Sequence, residues 1–348
     1  MTYFLVGNIA NIISTWMNNI LWLPIQNIIS LLVPKGFWND LLIGNYGVLT
    51  LGFANAITTV LPILSVFFVL YSILEDIGYI PNLTVLTRRI FAYFGLTGGA
   101  IIPIVLGFGC KTMATLTTKT LYSKRERFIA IFLIGFTIPC AAQMGVNLGI
   151  LGRLGIKAFL ITFGFIMFVG IASGLLLNRL LEQENKSSFI QELPAMRLPS
   201  LRAIIKKTHV RLYSFFKEAV PMFIYSALIL FTLDRFGILL IIHKILSPII
   251  EVFLGLPATM ADVFILALAR REAAAGFMIK LVDSGQLNYI QSIVAVVLNT
   301  MFAPCFANIG AMVKELGTKR AIFMVSIINI AAIILSGILY WSLVIFFK

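Results

Sequence analysis

The three cysteines of this sequence each follow a helix-breaking residue within an apolar stretch. They occur in Gly107-Phe108-Gly109-Cys110, Ile138-Pro139-Cys140 and Ala303-Pro304-Cys305. Glycine and proline free main-chain carbonyls, which hydrocarbon tolerates only where the segment packs on protein or lines a cavity. A buried cysteine ordinarily acts as a small hydrophobic residue. Because all three cysteines directly follow a helix breaker, however, they indicate a path for an ion that binds sulfur. Thiolates and thioethers select Fe(II), Cu(I) or Zn(II), whereas Mg²⁺ and Ca²⁺ prefer oxygen.

A methionine stands one helical turn beyond each of the first two cysteines. Met113 and Met144 could add thioether contacts to Cys110 and Cys140, although methionine also commonly fills gaps in packed cores. A structural zinc site needs about four ligands at short, fixed spacings, and these cysteines are far apart and lack histidine partners. The candidate metal-contacting residues are Cys110, Cys140, Cys305, Met113 and Met144, and no permanently bound cofactor is expected.

Acidic residues inside or at the ends of apolar segments are the candidates for gating or electrostatic support. They are Glu75, Asp76, Asp234 and Glu272. Ionisable groups at membrane depth are costly and are usually paired or functional. Glu272 follows Arg270 and Arg271 among small residues, so it fits either an internal ion pair between helices or a direct contact with the ion.

The sequence contains no arrangement of residues typical of an enzyme. No Ser/His/Asp set, H-E-x-x-H pair or G-x-S-x-G motif is present. The segment Gly109-Cys110-Lys111-Thr112 only imitates the end of a P-loop, because its glycine and lysine are not adjacent. We therefore predict a protein that is not an enzyme and that does not bind nucleotide through this motif.

The elements that must position these residues are membrane helices. The chain is 60% hydrophobic and 12% charged, outside the range of soluble globular proteins. Several apolar stretches reach the ~20 residues that cross a bilayer. The net charge of +13 comes mostly from basic residues in short loops, which is the positive-inside pattern and argues against nucleic acid as a partner. The composition predicts an all-α polytopic protein in contact with the lipid bilayer.

Apolar runs and their breakers predict where the helices lie. Helices are expected near 5–33, 47–75, 80–95, 98–121, 127–150, 156–179, 212–233, 237–255, 258–282, 288–312 and 320–347. Basic residues place the loop 122–127 and the polar stretch 181–211 in the cytoplasm. The predicted organisation is an N-terminal amphipathic, membrane-associated segment (1–46), a first repeat with its following helices (47–180), a basic linker (181–211) and a second repeat with C-terminal helices (212–348).

The two halves of the sequence resemble each other. The matches are Pro62 with Pro221, Glu75 with Asp234, Gly78 with Gly237 and Gly95-Leu96 with Gly255-Leu256, at offsets of 159 or 160 residues. On this alignment Cys110 falls opposite Arg270, while Cys140 and Cys305 lie further along. An odd number of predicted helices separates the repeats, so the second repeat would be inverted across the membrane, as in many transporters.

These motifs together resemble the ferrous iron transport protein B family. The resemblance lies in Leu74-Glu75-Asp76-Ile77-Gly78-Tyr79, Leu106-Gly107-Phe108-Gly109-Cys110, Ser123-Lys124-Arg125-Glu126-Arg127, Pro139-Cys140, Glu192-Leu193-Pro194, Arg271-Glu272 and Pro304-Cys305. They follow in the family's order from about residue 60 to the C-terminus. The resemblance implies an Fe(II) transporter of the bacterial inner membrane, built of two gate-like repeats with broken helices. It also implies that the three cysteines lie on the ion path.

The sequence also departs from the pattern of that family. Members usually carry an N-terminal GTP-binding domain, which this sequence does not show, so either a separate GTPase or operation without GTP is expected. Cys110 is followed by Lys111-Thr112-Met113 where the family commonly has Asn-Val-Pro, and Cys140 by Ala141-Ala142-Gln143 where it has Ser-Ala-Arg. A lysine beside the path would repel a cation if it pointed inward.

The prediction from sequence is therefore a multi-pass protein that moves Fe(II) across the cytoplasmic membrane. Three alternatives stay open: a carrier of another divalent metal, a carrier of an organic solute such as a nucleoside, and a non-transporting membrane partner of a separate GTPase. Besides Fe(II) and the bilayer, the expected partners are a separate GTPase, a small accessory protein and further copies of the same chain.

Overall fold

The computed structural model describes residues 13–32, 39, 41–42, 44, 47–54, 56–181, 198–269, 271–302 and 305–346. Within these residues the regular structure is helical and contains no strand. The prediction of an all-α polytopic protein is confirmed.

The helices follow one another with short connections. Those of the first half are α1 (Leu23–Leu32), α2 (Leu61–Asp76), α3 (Tyr79–Tyr93), α4 (Ile101–Gly109), α5 (Lys111–Thr117), α6 (Lys124–Phe136), α7 (Ala141–Leu154) and α8 (Ile156–Leu180). Those of the second half are α9 (Leu201–Arg235), α10 (Ile238–Pro248), α11 (Thr259–Ala269), α12 (Arg271–Asp283), α13 (Tyr289–Met301), α14 (Phe306–Leu316) and α15 (Thr318–Phe346). Stretches of π-helix, Val48–Ala54 and Ala56–Val60, precede α2, and another, Ile249–Phe253, follows α10.

Helix α9 begins earlier than the sequence predicts. It starts at Leu201 rather than at 212, so the last part of the predicted linker is helical. Buried Ile204, Thr208 and Phe215 lie at spacings of four and seven residues, which places them on one helical face. The helix can start here because Pro199 is the last proline of the linker and stands just before it.

Three of the predicted helices are interrupted within the described residues. Cys110 alone separates α4 from α5, residues 137–140 separate α6 from α7, and a break that includes Phe302 and Cys305 separates α13 from α14. Arg270, Ala303 and Pro304 themselves lie outside the described residues. The helix breakers identified in the sequence therefore divide long apolar stretches into pairs of half-helices.

The helix boundaries show that the repeat extends further along the chain than the sequence matches suggested. Gly78 and Gly237 both have positive φ, 87° and 68°, and α3 and α10 begin one residue later. Helices α6 and α7 begin at Lys124 and Ala141, and α13 and α14 begin at Tyr289 and Phe306, in each case 165 residues later (289 minus 124). The offset therefore grows from 159 to 165 along the repeat, which places Cys140 and Cys305 at equivalent positions.

By length and composition, the described residues contain membrane spans. The candidate spans are Lys124–Leu154, Ile156–Leu180, Leu201–Arg235, Tyr289–Leu316 and Thr318–Phe346, and the bent pair α2 and α3 would add one more. The protein is therefore a multi-pass membrane protein, as the composition predicts.

The chain packs as two compact units, and each draws on both halves of the sequence. The first unit comprises Met1–Asn82 with Glu192–Leu240, and the second comprises Leu83–Gln191 with Ile241–Lys348. In the second unit, α6–α7 and α13–α14 are the inner elements. In an apolar 18-residue stretch of each, 78% and 69% of the residues are buried, whereas the corresponding shares are 22% for α8 and 33% for α15. All the half-helices that carry cysteines belong to this second unit.

Candidate functional site

Each cysteine of the second unit is the N-cap residue of a half-helix. Cys110 precedes α5, Cys140 precedes α7 and Cys305 precedes α14. Their carbonyl oxygens accept the first helical hydrogen bonds, from Ala114 at 3.0 Å, from Met144 at 2.8 Å and from Ile309 at 3.0 Å. All three thiols are free and half-buried. A cysteine therefore takes the N-cap position at three breaks, although its φ angle differs from −146° at Cys110 to −76° at Cys140 and −56° at Cys305.

The three cysteines are neighbours in space. Cys110 lies within electrostatic range of both Cys140 and Cys305, and the Thr112 hydroxyl is 3.9 Å from the Cys305 sulfur. Among the residues that the structure describes, no three His, Cys, Asp or Glu side chains are arranged to hold one metal ion. The thiols are thus grouped without forming a closed metal site.

The two methionines lie in the first turns of the half-helices that the cysteines begin. Met113 is the third residue of α5 and Met144 the fourth of α7, and both are half-buried. Contact of their thioethers with an ion stays a prediction.

Lys111 points into the protein, directly after Cys110. Lys111 is only 3% exposed. The ammonium group donates hydrogen bonds to the carbonyl oxygen of Gly135 at 3.1 Å and to that of Thr300 at 3.4 Å. Lys111 therefore connects the end of α6 with the end of α13. From the sequence we expected only that this lysine would repel a cation.

Buried amides connect α7 to the end of α13. The Gln143 side chain donates to the carbonyl oxygens of Asn299 at 2.5 Å and of Thr300 at 3.3 Å, and it accepts from the Cys140 amide at 3.1 Å. Asn147 donates to the Thr300 hydroxyl at 3.0 Å. These contacts hold the break at Cys140 against the break that precedes Cys305.

Sequence reasoning gave no role in these contacts to Gln143, Asn147 or Thr300. Two signals were present. Gln143 and Asn147 are four residues apart in an apolar helix, which puts both on one face. Pro304 also follows Thr300 by four residues, so it cannot donate the helical hydrogen bond that the Thr300 carbonyl would accept.

In the first unit, Glu75 and Asp76 are paired with basic residues of α9. Arg211 forms an ion pair with Glu75, and Lys207 lies 3.6 Å from Glu75 and 3.3 Å from Asp76. The Ser200 amide donates to the Asp76 carboxylate at 2.8 Å. Glu75 and Asp76, the predicted acidic pair, therefore join the end of α2 to the first part of α9.

The other two predicted acids differ in their surroundings. Asp234 is exposed near the end of α9. Glu272 lies in the first turn of α12, but its side chain is not among those described, and Arg270 is outside the described residues. The choice between an ion pair and an ion contact for Glu272 therefore stays open.

Two family models match the chain. The Gate model, described as nucleoside recognition, matches residues 57–157 and 216–319, which contain the two sets of broken helices. The model described as ferrous iron transport protein B C terminus matches residues 159–211. Together the three matches follow the order in which the sequence motifs were found.

Several curated proteins are similar to this chain. The Fe(2+) transporter FeoB of Methanocaldococcus jannaschii is 25% identical over 306 residues, covering 78% of this chain and 45% of that protein. The Fe(2+) transporter FeoB of Helicobacter pylori strain 26695 is 29% identical over 194 residues, 53% of this chain and 30% of that protein. A Porphyromonas gingivalis protein named Fe(2+) transport protein A/Fe(2+) transporter FeoB fusion protein is 30% identical over 186 residues, 52% of this chain and 21% of that protein.

The chain therefore spans less than half the length of these relatives. No solved structure matches it.

Proposed function

Since this chain belongs to the ferrous iron transport protein B family, with two gate segments and that family's C-terminal region, we propose that it moves Fe(II) across the cytoplasmic membrane. The observation that carries the proposal is the placement of Cys110, Cys140 and Cys305 as N-cap residues at three neighbouring helix breaks. The relatives named Fe(2+) transporter support the choice of ion.

Sulfur ligands suit this ion. Fe(II) is a borderline cation that thiolates bind more readily than Mg²⁺ or Ca²⁺, whose preferred ligand is oxygen. Helix breaks are also the places where a membrane protein can expose main-chain groups to an ion without placing them in lipid. In this proposal the three cysteines supply the sulfur ligands along the ion path.

In the proposed mechanism the ion passes from one thiol to the next. The first thiol loses its proton as its sulfur replaces a water ligand of the ion, and it regains a proton when the next cysteine takes over the ion in the same way. Conduction requires that each position bind weakly enough to release the ion. Neighbouring thiols that do not form a closed three-ligand site among the described residues are compatible with such stepwise transfer.

Fe(II) uptake into proteoliposomes under reducing conditions tests this function. The parent protein should accumulate Fe(II), and the variant with Cys110, Cys140 and Cys305 all changed to alanine should not. Thiol alkylation should block the parent and leave the residual rate of the variant unchanged. Uptake by the triple variant at the parent rate would refute the cysteine path.

The thioether contribution needs a separate comparison. Met113→Leu and Met144→Leu keep the volume of the side chain and remove the sulfur. If the thioethers contact the ion, either variant lowers Fe(II) uptake, whereas Met167→Leu on the exposed face of α8 leaves it at the parent rate. Equal uptake by all three variants would assign the methionines to packing alone.

A second candidate function is transport of an organic solute such as a nucleoside, which the description of the Gate model favours. That function predicts uptake of a labelled nucleoside that thiol alkylation does not affect. Competition among Fe(II), Mn(II), Zn(II), Co(II) and nucleosides in the same liposomes separates it from metal transport.

A third candidate is a membrane partner of a separate GTPase without transport of its own. It predicts co-purification with that GTPase and no Fe(II) flux in liposomes that hold the chain alone. The fusion with Fe(2+) transport protein A in one relative suggests a small accessory protein as an additional partner.

We place the loop 122–127 and the linker 181–211 on the cytoplasmic side, and the charge of these segments supports that orientation.

A further inference from the structure

Two prolines at equivalent positions of the repeats each deprive one carbonyl of its helical partner. Proline has no amide hydrogen, so the carbonyl four residues earlier cannot receive the usual helical hydrogen bond. Pro139 does this to Gly135, and Pro304 does it to Thr300. Gly135 and Thr300 are themselves 165 residues apart (300 minus 135), the same offset that relates α6 to α13.

Both carbonyls lie in the last turn of a helix. Helix α6 ends at Phe136 and helix α13 ends at Met301. The C-terminal end of a helix carries partial negative charge from its unpaired carbonyls, and it stabilises a cation. Two such ends therefore meet in the inner part of the second unit, where the surrounding residues 129–138 and 292–301 are buried.

The ammonium group of Lys111 lies between these carbonyls. It donates to the Gly135 oxygen at 3.1 Å and to the Thr300 oxygen at 3.4 Å, and the Thr300 oxygen also accepts from the Gln143 carboxamide at 3.3 Å. Among the side chains and main-chain groups that the structure describes, both acceptors are carbonyl oxygens rather than carboxylates, so these groups hold the lysine as a broken helix holds a cation. Burial disfavours the charge of the ammonium group, and Arg271 repels it, so the two carbonyls must offset both effects.

We propose that the carbonyl oxygens of Gly135 and Thr300 form a binding site for a small monovalent cation of the ammonium type, and that Lys111 is its tethered occupant. The site is a property of the two prolines and exists whether or not Fe(II) is the transported ion. The occupant joins the two equivalent breaks, and because it directly follows Cys110, it also holds that cysteine in place beside them.

The test uses Lys111→Ala in the full chain, purified in detergent. This change removes the tethered cation and leaves space for a free one. The melting temperature should fall by about 3–8 °C, because two hydrogen bonds to a charged group are lost. Methylammonium chloride should restore at least half of that loss, since a ligand that binds only the folded state stabilises it. N-methyl-D-glucamine chloride at the same ionic strength should restore none of it, because its cation is too large for the space.

Two further variants make the result specific. Lys111→Met removes the charge but keeps the chain that fills the space, so it should be destabilised and should not respond to methylammonium. Lys157→Ala changes an exposed lysine, also in the first turn of a helix, and should melt like the parent in every salt.

Three outcomes would overturn the proposal. One is a Lys111→Met protein as stable as the parent, and another is a Lys111→Ala protein that methylammonium stabilises no more than the bulky cation does. The third is a Lys111→Ala protein that fails to fold both with and without methylammonium. Folding only when methylammonium is present during purification would instead support the site.

Discussion

The hydroxyl of Thr115 donates a 2.8 Å hydrogen bond to the carboxamide oxygen of Asn308. Both residues are fully buried, and 193 positions separate them in the chain. The bond joins α5, which begins after Cys110, to α14, which begins after Cys305. Together with the Thr112 contact to the Cys305 sulfur, it holds the half-helix of one repeat beside that of the other.

Thr115→Val should destabilise the protein by about 1–3 kcal/mol, because the buried Asn308 oxygen loses its donor while valine keeps the volume of threonine. The measurement is thermal unfolding in detergent. Thr120→Val serves as the control, since Thr120 is exposed and its hydroxyl donates to the nearby Thr117 carbonyl. An equal melting temperature for Thr115→Val and the parent would show that the bond contributes nothing.

Cys140→Ala and Cys305→Ala should lower Fe(II) uptake to a similar extent, because the two thiols occupy equivalent positions of the repeats. We expect a loss of about tenfold for each, which corresponds to a barrier about 1.4 kcal/mol higher. Initial rates in proteoliposomes measure it, with protein incorporation checked by immunoblot. A normal rate for one variant beside a large loss for the other would contradict the equivalence.

Asp76→Asn should loosen the start of α9. The Asp76 carboxylate accepts the Ser200 amide and faces Lys207, and a weakening of about 1.4 kcal/mol would raise local opening about tenfold. Trypsin should therefore cleave faster after Arg202 in the detergent-solubilised variant.

Asp234→Asn is the matched control for that experiment. Asp234 is the exposed residue at the other end of α9, and the sequence repeat aligns it with Glu75, the neighbour of Asp76. Its digestion should follow the parent. Faster cleavage after Arg202 in both variants would mean that the effect arises from lost charge in general.

The cost of Lys111→Met should shrink when both prolines are replaced. In Pro139→Ala/Pro304→Ala the new alanines can donate helical hydrogen bonds to the carbonyls of Gly135 and Thr300, which then need the ammonium group less. A double-mutant cycle on melting stability should give a coupling of about 1 kcal/mol. In a Pro62→Ala background, where the proline stands at the beginning of α2, the cost of Lys111→Met should be unchanged. A coupling of zero would separate the prolines from the lysine.

Much of the fold could be predicted from local features of the sequence. Long apolar stretches predicted the helices, and glycine and proline predicted that segments around Cys110, Cys140 and Cys305 would depart from regular helix. The extension of α9 to Leu201 was missed because basic residues suggested a solvated linker. In the structure two of those residues, Lys207 and Arg211, pair with Glu75 and Asp76, which a pattern of charges along the chain does not reveal.

The inverted sense of the second repeat stays a prediction from the helix count. The relation between Cys140 and Cys305 was missed for a different reason. The sequence matches near residues 62–96 have an offset of 159 or 160, whereas the helices that follow differ by 165. Extra residues between matching elements shift the alignment, and only the helix boundaries restore it.

The sequence by itself determined the class of protein, the repeat and the location of the cysteines at helix breaks. These depend on the length of apolar stretches and on the missing amide hydrogen of proline, which are properties of neighbouring residues. Tertiary structure alone decided that Lys111 and Gln143 satisfy the carbonyls that the prolines leave. Lys111 and Thr300 are separated by 189 positions, and no periodic pattern links them. Their contact depends on how the half-helices of the two repeats pack, because burial requires every carbonyl in the core to find a donor.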